Sequence, residues 1–236
     1  GKIWGVGRKR EEWLNSLGIT NAYQFTKLED DLVKKKMTVV GLRTKMELCG
    51  IDCIEIEEVQ DKRMIGSSRM FGNNITIFNE VNEALSAYVA TTAVKLRKQN
   101  SQASHMSVHV ATSRFKSGYY ANSSSTYLHQ PLSNTQDLTK VATGLLRNIF
   151  KSGYAYKRVG VLLSELTQRN VQPLLFQDPE CEKKQKLMDI LDKFNKTTNY
   201  GKIKFASEGV SKRLWEMKQT HKSKRYTTNW NELLMV

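Results

Sequence analysis

Cysteine is scarce. The 236 residues hold three, Cys49, Cys53 and Cys181. So odd and sparse a set excludes a disulfide framework and, with no secretory leader in the chain, is expected of a reducing cytoplasm. Cys49 and Cys53 have no second Cys or His pair at ligand spacing, which excludes a zinc finger. No apolar run approaches the ~20 residues that a bilayer span needs. Acidic residues are scarce in one region only. Residues 62–169 hold 4 Asp and Glu against 14 Lys and Arg, whereas residues 1–61 hold 11 against 10 and residues 170–236 hold 8 against 13. The net charge of +14 and pI near 9.7 are therefore concentrated in the middle of the chain, which marks it as the part that meets a polyanion. A hydrophobic content of 39% and a mean hydropathy of −0.51 permit packed cores with much surface. The length suits one large or two small domains and a tail. The chain opens at Gly1 without methionine and reads as a piece of a longer protein.

Four regions follow from the pattern: helices over 1–49, a connection over 50–62, a mixed domain over 63–169 and a tail over 170–236. In the first, a tight turn at Trp4-Gly5-Val6-Gly7 leads into a helix over 8–17, with Trp13, Leu14 and Leu17 on one side and Gly18 as its stop. Thr20 is placed to cap a short helix carrying Ala22, Tyr23 and Phe25. A longer helix over 30–48 presents Val33, Met37 and Val40, with Gly41 as its weak point. The glycine turn exposes backbone N–H groups at a helix start beside Arg8 and Lys9, where a phosphate has a natural seat; a plain turn between packed helices is the equal alternative. In the connection, Glu55 and Glu57 share strand spacing. No third acid, His or Lys stands near them to complete a metal or acid–base site, so a solvated linker is expected.

Residues 63–169 read strand, helix, strand, strand, helix, strand. The first strand, over 63–72, places Ile65, Ser67, Arg69 and Phe71 on one parity and Met64, Gly66, Ser68 and Met70 on the other. A helix over 79–99 carries Val81, Leu85, Tyr88, Val89, Thr92 and Leu96 on one face. A strand over 105–114 alternates Met106, Val108 and Val110 inward with Ser107, His109 and Ser113 outward, and a Ser/Thr-rich strand over 123–130 follows. The helix over 135–152 has the clearest stripe: Leu138, Val141, Ala142, Leu145, Leu146 and Ile149. The last strand, over 156–166, puts Val159, Val161 and Leu163 on one parity and Arg158, Gly160 and Ser164 on the other. Two amphipathic helices need one apolar sheet face, so the expected fold is α+β, a four-stranded antiparallel sheet with both helices on one side. The opposite face is then open. Ser67, Arg69, Ser107, His109, Ser113 and Arg158 are expected there, a small and basic set suited to phosphates. Aromatic pairs for stacking single-stranded bases are lacking. His105, His109 and His129 share no ligand spacing.

In the tail, Gln172-Pro173-Leu174-Leu175-Phe176 has the look of an extended docking peptide. A helix over 182–195 presents Leu187, Ile190, Leu191 and Phe194, and a short strand is expected over 202–205. Trp215, Lys218, Lys222, Lys224, Arg225, Tyr226 and Trp230 close the chain.

These residues resemble a known family. Ile3-Trp4-Gly5-Val6-Gly7-Arg8 with Leu17-Gly18-Ile19 is similar to the thumb helix-hairpin-helix of Y-family translesion DNA polymerases. The Ser67-Ser68-Arg69 strand, the element order and Lys157-Arg158-Val159-Gly160-Val161 resemble their little-finger domain. Arg225-Tyr226-Thr227-Thr228 with Glu232-Leu233-Leu234 resembles the end of the UmuC branch, the catalytic subunits of DNA polymerase V. The resemblance is collinear over essentially the whole chain. It implies primer–template DNA held through its backbone by Gly5, Gly7, Arg8 and Lys9 at the hairpin, and by Ser67, Arg69, Lys157 and Arg158 on the sheet. It implies a sliding-clamp motif at Gln172, Leu174, Leu175 and Phe176, with Pro173 where the family has Leu. It also implies UmuD′-like and RecA-like partners, SOS induction and a bacterial cytoplasm. The Mg²⁺ that the family uses belongs to a palm with no counterpart here, so the chain is expected to be the non-catalytic, DNA-holding part of such an enzyme. An adaptor for the clamp and other partners, and a stand-alone nucleic-acid module, are the alternatives.

Overall fold

The computed structural model describes residues 1–53, 60–115, 118–169, 179–197, 203–210, 213, 215–217 and 221–233, with the side chains of 179–182 also left aside. It divides into two compact units, Gly1–Gln60 and Asp61–Val236. The acidic pair Glu55 and Glu57 and the peptide Gln172, Leu174, Leu175 and Phe176 lie outside the described residues.

In the first unit, Gly7 has extended backbone and stands at the head of α1 (Arg8–Ser16), its carbonyl accepting from the N–H groups of Arg10 and Glu11. Gly5 and Gly18, both at positive φ, make the turns on either side. Asn21, and not Thr20, caps α2 (Ala22–Thr26), its side chain accepting from the Gln24 N–H at 2.9 Å. Helix α3 (Asp30–Leu48) breaks at Thr38, where φ is 66°, three residues before the expected weak point at Gly41. Gly41 instead serves close packing, because a Cβ there would run into the Met37 side chain. The unit's core is Val6, Leu14, Phe25, Val33 and Met37. Leu17 and Val40, expected on the apolar sides of their helices, are exposed, as is Tyr23 of α2. Helix α1 stops short of Leu17, and the break at Thr38 turns Val40 out of phase with Val33 and Met37.

The second unit is built on β1 (Ile65–Ile75), α4 (Phe78–Lys98), β2 (Ser101–Thr112), β3 (Ala121–Leu132), α5 (Thr135–Ile149) and β4 (Tyr156–Gln168). The strands form a four-stranded antiparallel sheet in the order β1-β4-β2-β3, the expected α+β arrangement. Both helices cover one face. All six apolar-face residues expected of α4 are buried, as are Leu138, Ala142, Leu145, Leu146 and Ile149 of α5, against Met106, Val108, Val110, Val159, Val161 and Leu163 from the sheet. Asn134 starts α5 by accepting from the N–H groups of Gln136 and Asp137.

Helix α6 (Pro179–Thr197) docks by charge as much as by apolar contact. The Arg97 guanidinium, 4% exposed, donates to both Asp192 carboxylate oxygens at 2.7 and 2.9 Å, and to the Ser133 carbonyl at 2.7 Å. Arg169 pairs with Asp189 at 3.1 Å. These pairs orient Met188 and Asn195 inward and leave Leu187, Ile190 and Phe194 of the expected stripe exposed. Among the described residues no strand follows β4, so Ile203, Lys204 and Phe205 do not form the expected one. Trp215 is the tail's anchor. It is 5% exposed, meets Tyr88 edge-on and donates its indole N–H to Glu83 at 2.8 Å, and its carbonyl accepts from the Gly72 N–H. No helix among the described residues is long and apolar enough to cross a membrane.

Three substitutions test this packing. Gly41→Ala should destabilise the first unit by about 1–3 kcal/mol through overpacking. Gly144→Ala on α5, where an added Cβ meets nothing within 4 Å, should be neutral or stabilise by about 0.5–1 kcal/mol; urea unfolding of both variants checks the contrast. Asp192→Ala leaves the Arg97 guanidinium buried with part of its hydrogen bonding gone, and should cost about 3 kcal/mol in the same measurement.

Candidate nucleic-acid interface

Residues directly opposite each other in an antiparallel pair point to the same side of the sheet. Three registers therefore settle which side chains share the open face. Arg158 is paired with Met70 and Ala111, Gly160 with Ser68 and His109, and Leu162 with Gly66 and Ser107. On β3, Ser123 lies opposite His109 and Ser125 opposite Ser107. The face that the helices leave uncovered thus carries Ser68, Ser107, His109, Ser123, Ser125 and Arg158.

Ser67 and Arg69 are not on it. They pair with Val161 and Val159, which are buried under the helices. The expected grouping of Arg69 with Arg158 on one face is corrected: the two arginines stand on opposite sides of the sheet. Ser113 lies beyond the end of β2. Lys157 is half-buried and its ammonium donates to the carbonyls of Phe71 and Gly72, where the β1–β4 register shifts. Its charge is thereby tied to holding that irregularity.

Gly160 forms the floor of the open face. A Cβ built there would come within 2.5 Å of both the Ser68 Cβ and the His109 Cε1. Because glycine is present, His109 and Ser68 close over β4 and share a hydrogen bond, Nε2 to Oγ at 3.2 Å. His105 shares a hydrogen bond with its direct neighbour on β4, Ser164, at 2.9 Å and meets the exposed Tyr127 ring edge-on. Burial, and then the neighbouring Arg158 guanidinium, hold the His109 pKa below its ordinary value. At neutral pH the face therefore offers the Arg158 charge, a neutral His109 imidazole and several hydroxyls.

At the hairpin of the other unit, Gly5, Gly7, Arg8 and Lys9 are all exposed. The next basic residue, Arg10, is not free: its guanidinium donates to the carbonyls of Gly5 at 2.8 Å and Met37 at 3.3 Å, bracing the glycine turn. In the tail, Arg225 and Glu232 of the family-like signature bind each other, with the Arg225 Nη2 at 2.7 Å from the Glu232 Oε1. That contact pulls the Glu232 pKa down to about 2. No group of three or more His, Cys, Asp or Glu that could hold a metal ion occurs among the described residues.

Ser123, Ser125 and Tyr127 were missed residue by residue, although the alternation of β3 carried them. Phe115, fully exposed between β2 and β3, had no signal beyond its place in a loop.

Comparison with known proteins gives this arrangement a family. Residues 62–175 match the impB/mucB/samB family C-terminal domain, and residues 185–236 match a domain of unknown function (DUF4113). The chain is 35% identical to Protein UmuC of Salmonella typhimurium over 99% of its own length and 56% of the relative's. It is 35% identical to Protein SamB of the same species over 98% of the chain and 55% of the relative. Protein MucB of Escherichia coli is 28% identical over 98% of the chain and 56% of the relative. The chain spans about half the length of these curated relatives. A βαββαβ sheet in the matched region, with likeness running on through the tail, places the chain in the UmuC/ImpB/SamB/MucB family of Y-family translesion polymerases, within the C-terminal part of its members.

Proposed function

We propose that this chain is the duplex-holding portion of an error-prone translesion DNA polymerase of the SOS response. The open sheet face is the observation that carries the reading. It is wide and hydroxyl-bearing, it is floored by Gly160 and it has Arg158 as its charge. Such a surface suits contact with sugar and phosphate rather than with base edges, so it grips DNA irrespective of sequence. A polymerase that must pass damaged templates needs a grip of that kind. The hairpin residues Gly5, Gly7, Arg8 and Lys9 supply a second contact in the first unit, with backbone N–H groups and cations at the head of α1. Arg69 and Lys157 contribute to the positive field of the domain, and Ser67 and Arg69 act at the β1 edge rather than on the open face.

Nucleotidyl transfer is proposed to belong to the palm of the same polymerase. Gln172, Leu174, Leu175 and Phe176 are proposed to dock in a sliding clamp. UmuD′-like and RecA-like proteins are proposed partners with no residues assigned, and the bacterial cytoplasm is the proposed location.

Wild-type chain should bind primer–template duplex with a logarithmic salt slope of about −0.9 for each phosphate neutralised. Arg158→Gln should flatten that slope by about 1 and weaken all sequences alike. Fluorescence anisotropy across a salt series measures both, and a flat salt profile for the wild type would overturn the electrostatic reading. A phosphate arriving at the open face should raise the depressed pKa of His109, so duplex binding should take up a proton. Affinity should then rise as pH falls from about 7 through the ordinary histidine range near 6.5, and His109→Gln should remove that dependence. Between that ordinary value and the lower folded-state value of His109 the unfolded chain binds more protons at this site than the free folded one, so the stability of the unliganded fold should fall as pH drops through that window.

A further inference from the structure

We propose that the tail and the β1 edge together build a phosphate seat on the side of the sheet away from the open face. Arg213 from the tail and Arg69 from β1 line one cleft of about 360 Å³ with the hydroxyl-bearing Ser67, Tyr88 and Thr91.

Four observations carry it. The first is the state of Arg213. Its side chain is only 16% exposed, and its Nη2 is buried with no hydrogen-bond partner among the described residues. A buried guanidinium N–H left without an acceptor costs free energy, and an oxyanion removes that cost. The second is how the arginine is held. Its guanidinium lies over the Trp215 ring at 5.0 Å, and Trp215 is anchored by Glu83, Tyr88 and the Gly72 N–H. The guanidinium is therefore fixed in the cleft rather than extended into solvent.

The third observation is charge. The lining of the cleft sets Arg69 and Arg213 against the Glu216 carboxylate, which is 66% exposed and 3.8 Å from Arg213, while the field of Arg213 also reaches Glu208 outside that lining. The cleft keeps a net positive charge, and the fields of both arginines reach the Tyr88 hydroxyl. The fourth is the kind of lining. One guanidinium fork satisfies a carboxylate. Two guanidiniums arriving from different elements, beside hydroxyls, match the larger acceptor set of a phosphate. The source that fits is the backbone of a nucleic-acid strand passing the β1 edge, because the open face on the other side of β1 is the proposed duplex surface. This choice of source rests on that functional reading; the phosphate seat itself does not.

The test uses the full chain carrying 5-fluorotryptophan, with the Trp215 resonance assigned by Trp215→Phe. Inorganic phosphate should shift that resonance saturably, while sodium chloride at equal ionic strength should not. Arg213→Gln and Arg69→Gln should each weaken the phosphate response at least tenfold, and Ser68→Ala on the open face should leave it unchanged. An unliganded Trp215 resonance in its wild-type position certifies that a variant's tail is folded. If Arg213→Gln fails that check, Arg69→Gln, on a strand that pairs without that side chain, decides alone. A single-stranded oligonucleotide should shift the same resonance at lower concentration, with a salt slope reduced by about 1 in Arg213→Gln. No saturable phosphate shift, or one untouched by both arginine variants, overturns the seat. A shift with tetraglutamate but not with phosphate overturns it in favour of an acidic protein partner. A phosphate response without any oligonucleotide response leaves the seat and overturns the nucleic-acid source. Duplex binding through Arg158 is read separately, so failure of the seat and failure of the duplex surface are told apart.

Discussion

One-sided burial of the four-stranded sheet is the constraint on which the second unit depends. Each strand alternates, so burying one parity under α4 and α5 commits the other to solvent or to a partner. The buried parity is saturated with Val, Leu, Met and Ala from β2 and β4. The other carries Ser, His, Gly and Arg158, interspersed with the exposed Met70, Leu162 and Tyr127. A slip of one residue would bring Arg158 and His109 under the helices and turn Val159 and Val110 outward. The register and the polar surface are therefore enforced by the same packing. Gly160 is where the two meet: its missing Cβ lets side chains from β1 and β2 approach across β4, which makes the surface continuous over three strands.

The sequence was most legible where the apolar pattern was densest. Helices α4 and α5, β2 and β4 were visible because one face of each is almost wholly apolar, and the βαββαβ order follows from them. The error on β1 is instructive because the information to avoid it was present. Ile65 and Phe71 share parity with Ser67 and Arg69, and both are buried. An edge strand needs only its ends to anchor the parity, so polar residues between two apolar ones stay on the helix side. Reading Ser67 and Arg69 by their chemistry rather than by their neighbours' burial put them on the wrong face. Arg158 and His109 were placed correctly because Val159 and Val161, and Val108 and Val110, fix their parity on either side.

Other features had no local signature. The break at Thr38 is a positive φ at a β-branched residue, which propensity argues against. Lys157 reads as a surface cation, yet its ammonium serves two β1 carbonyls. Arg97 and Arg169 likewise read as part of the basic middle, but each is committed to an aspartate of α6. The segment charge therefore overstates what is presented to a polyanion. Placement of the remaining cations decides binding more than their number does.

The tail bears on the sheet's weakest point. An edge strand exposes unpaired backbone groups and invites association with other chains. At β3, Pro131 lies in the strand itself, where it removes one donor. At β1, the register shift between Met70 and Ile75 interrupts pairing, and the Trp215 carbonyl takes up the Gly72 N–H beside it. Trp215 and Arg213 reach β1 and α4 from a part of the chain that matches a domain of unknown function. A segment recruited to cover an edge places its own side chains against that strand's residues. Here that brings a buried arginine beside Arg69 on the side of the sheet that faces away from Arg158. Protection of the edge and addition of a second cationic surface thus come from one packing event, centred on a single tryptophan.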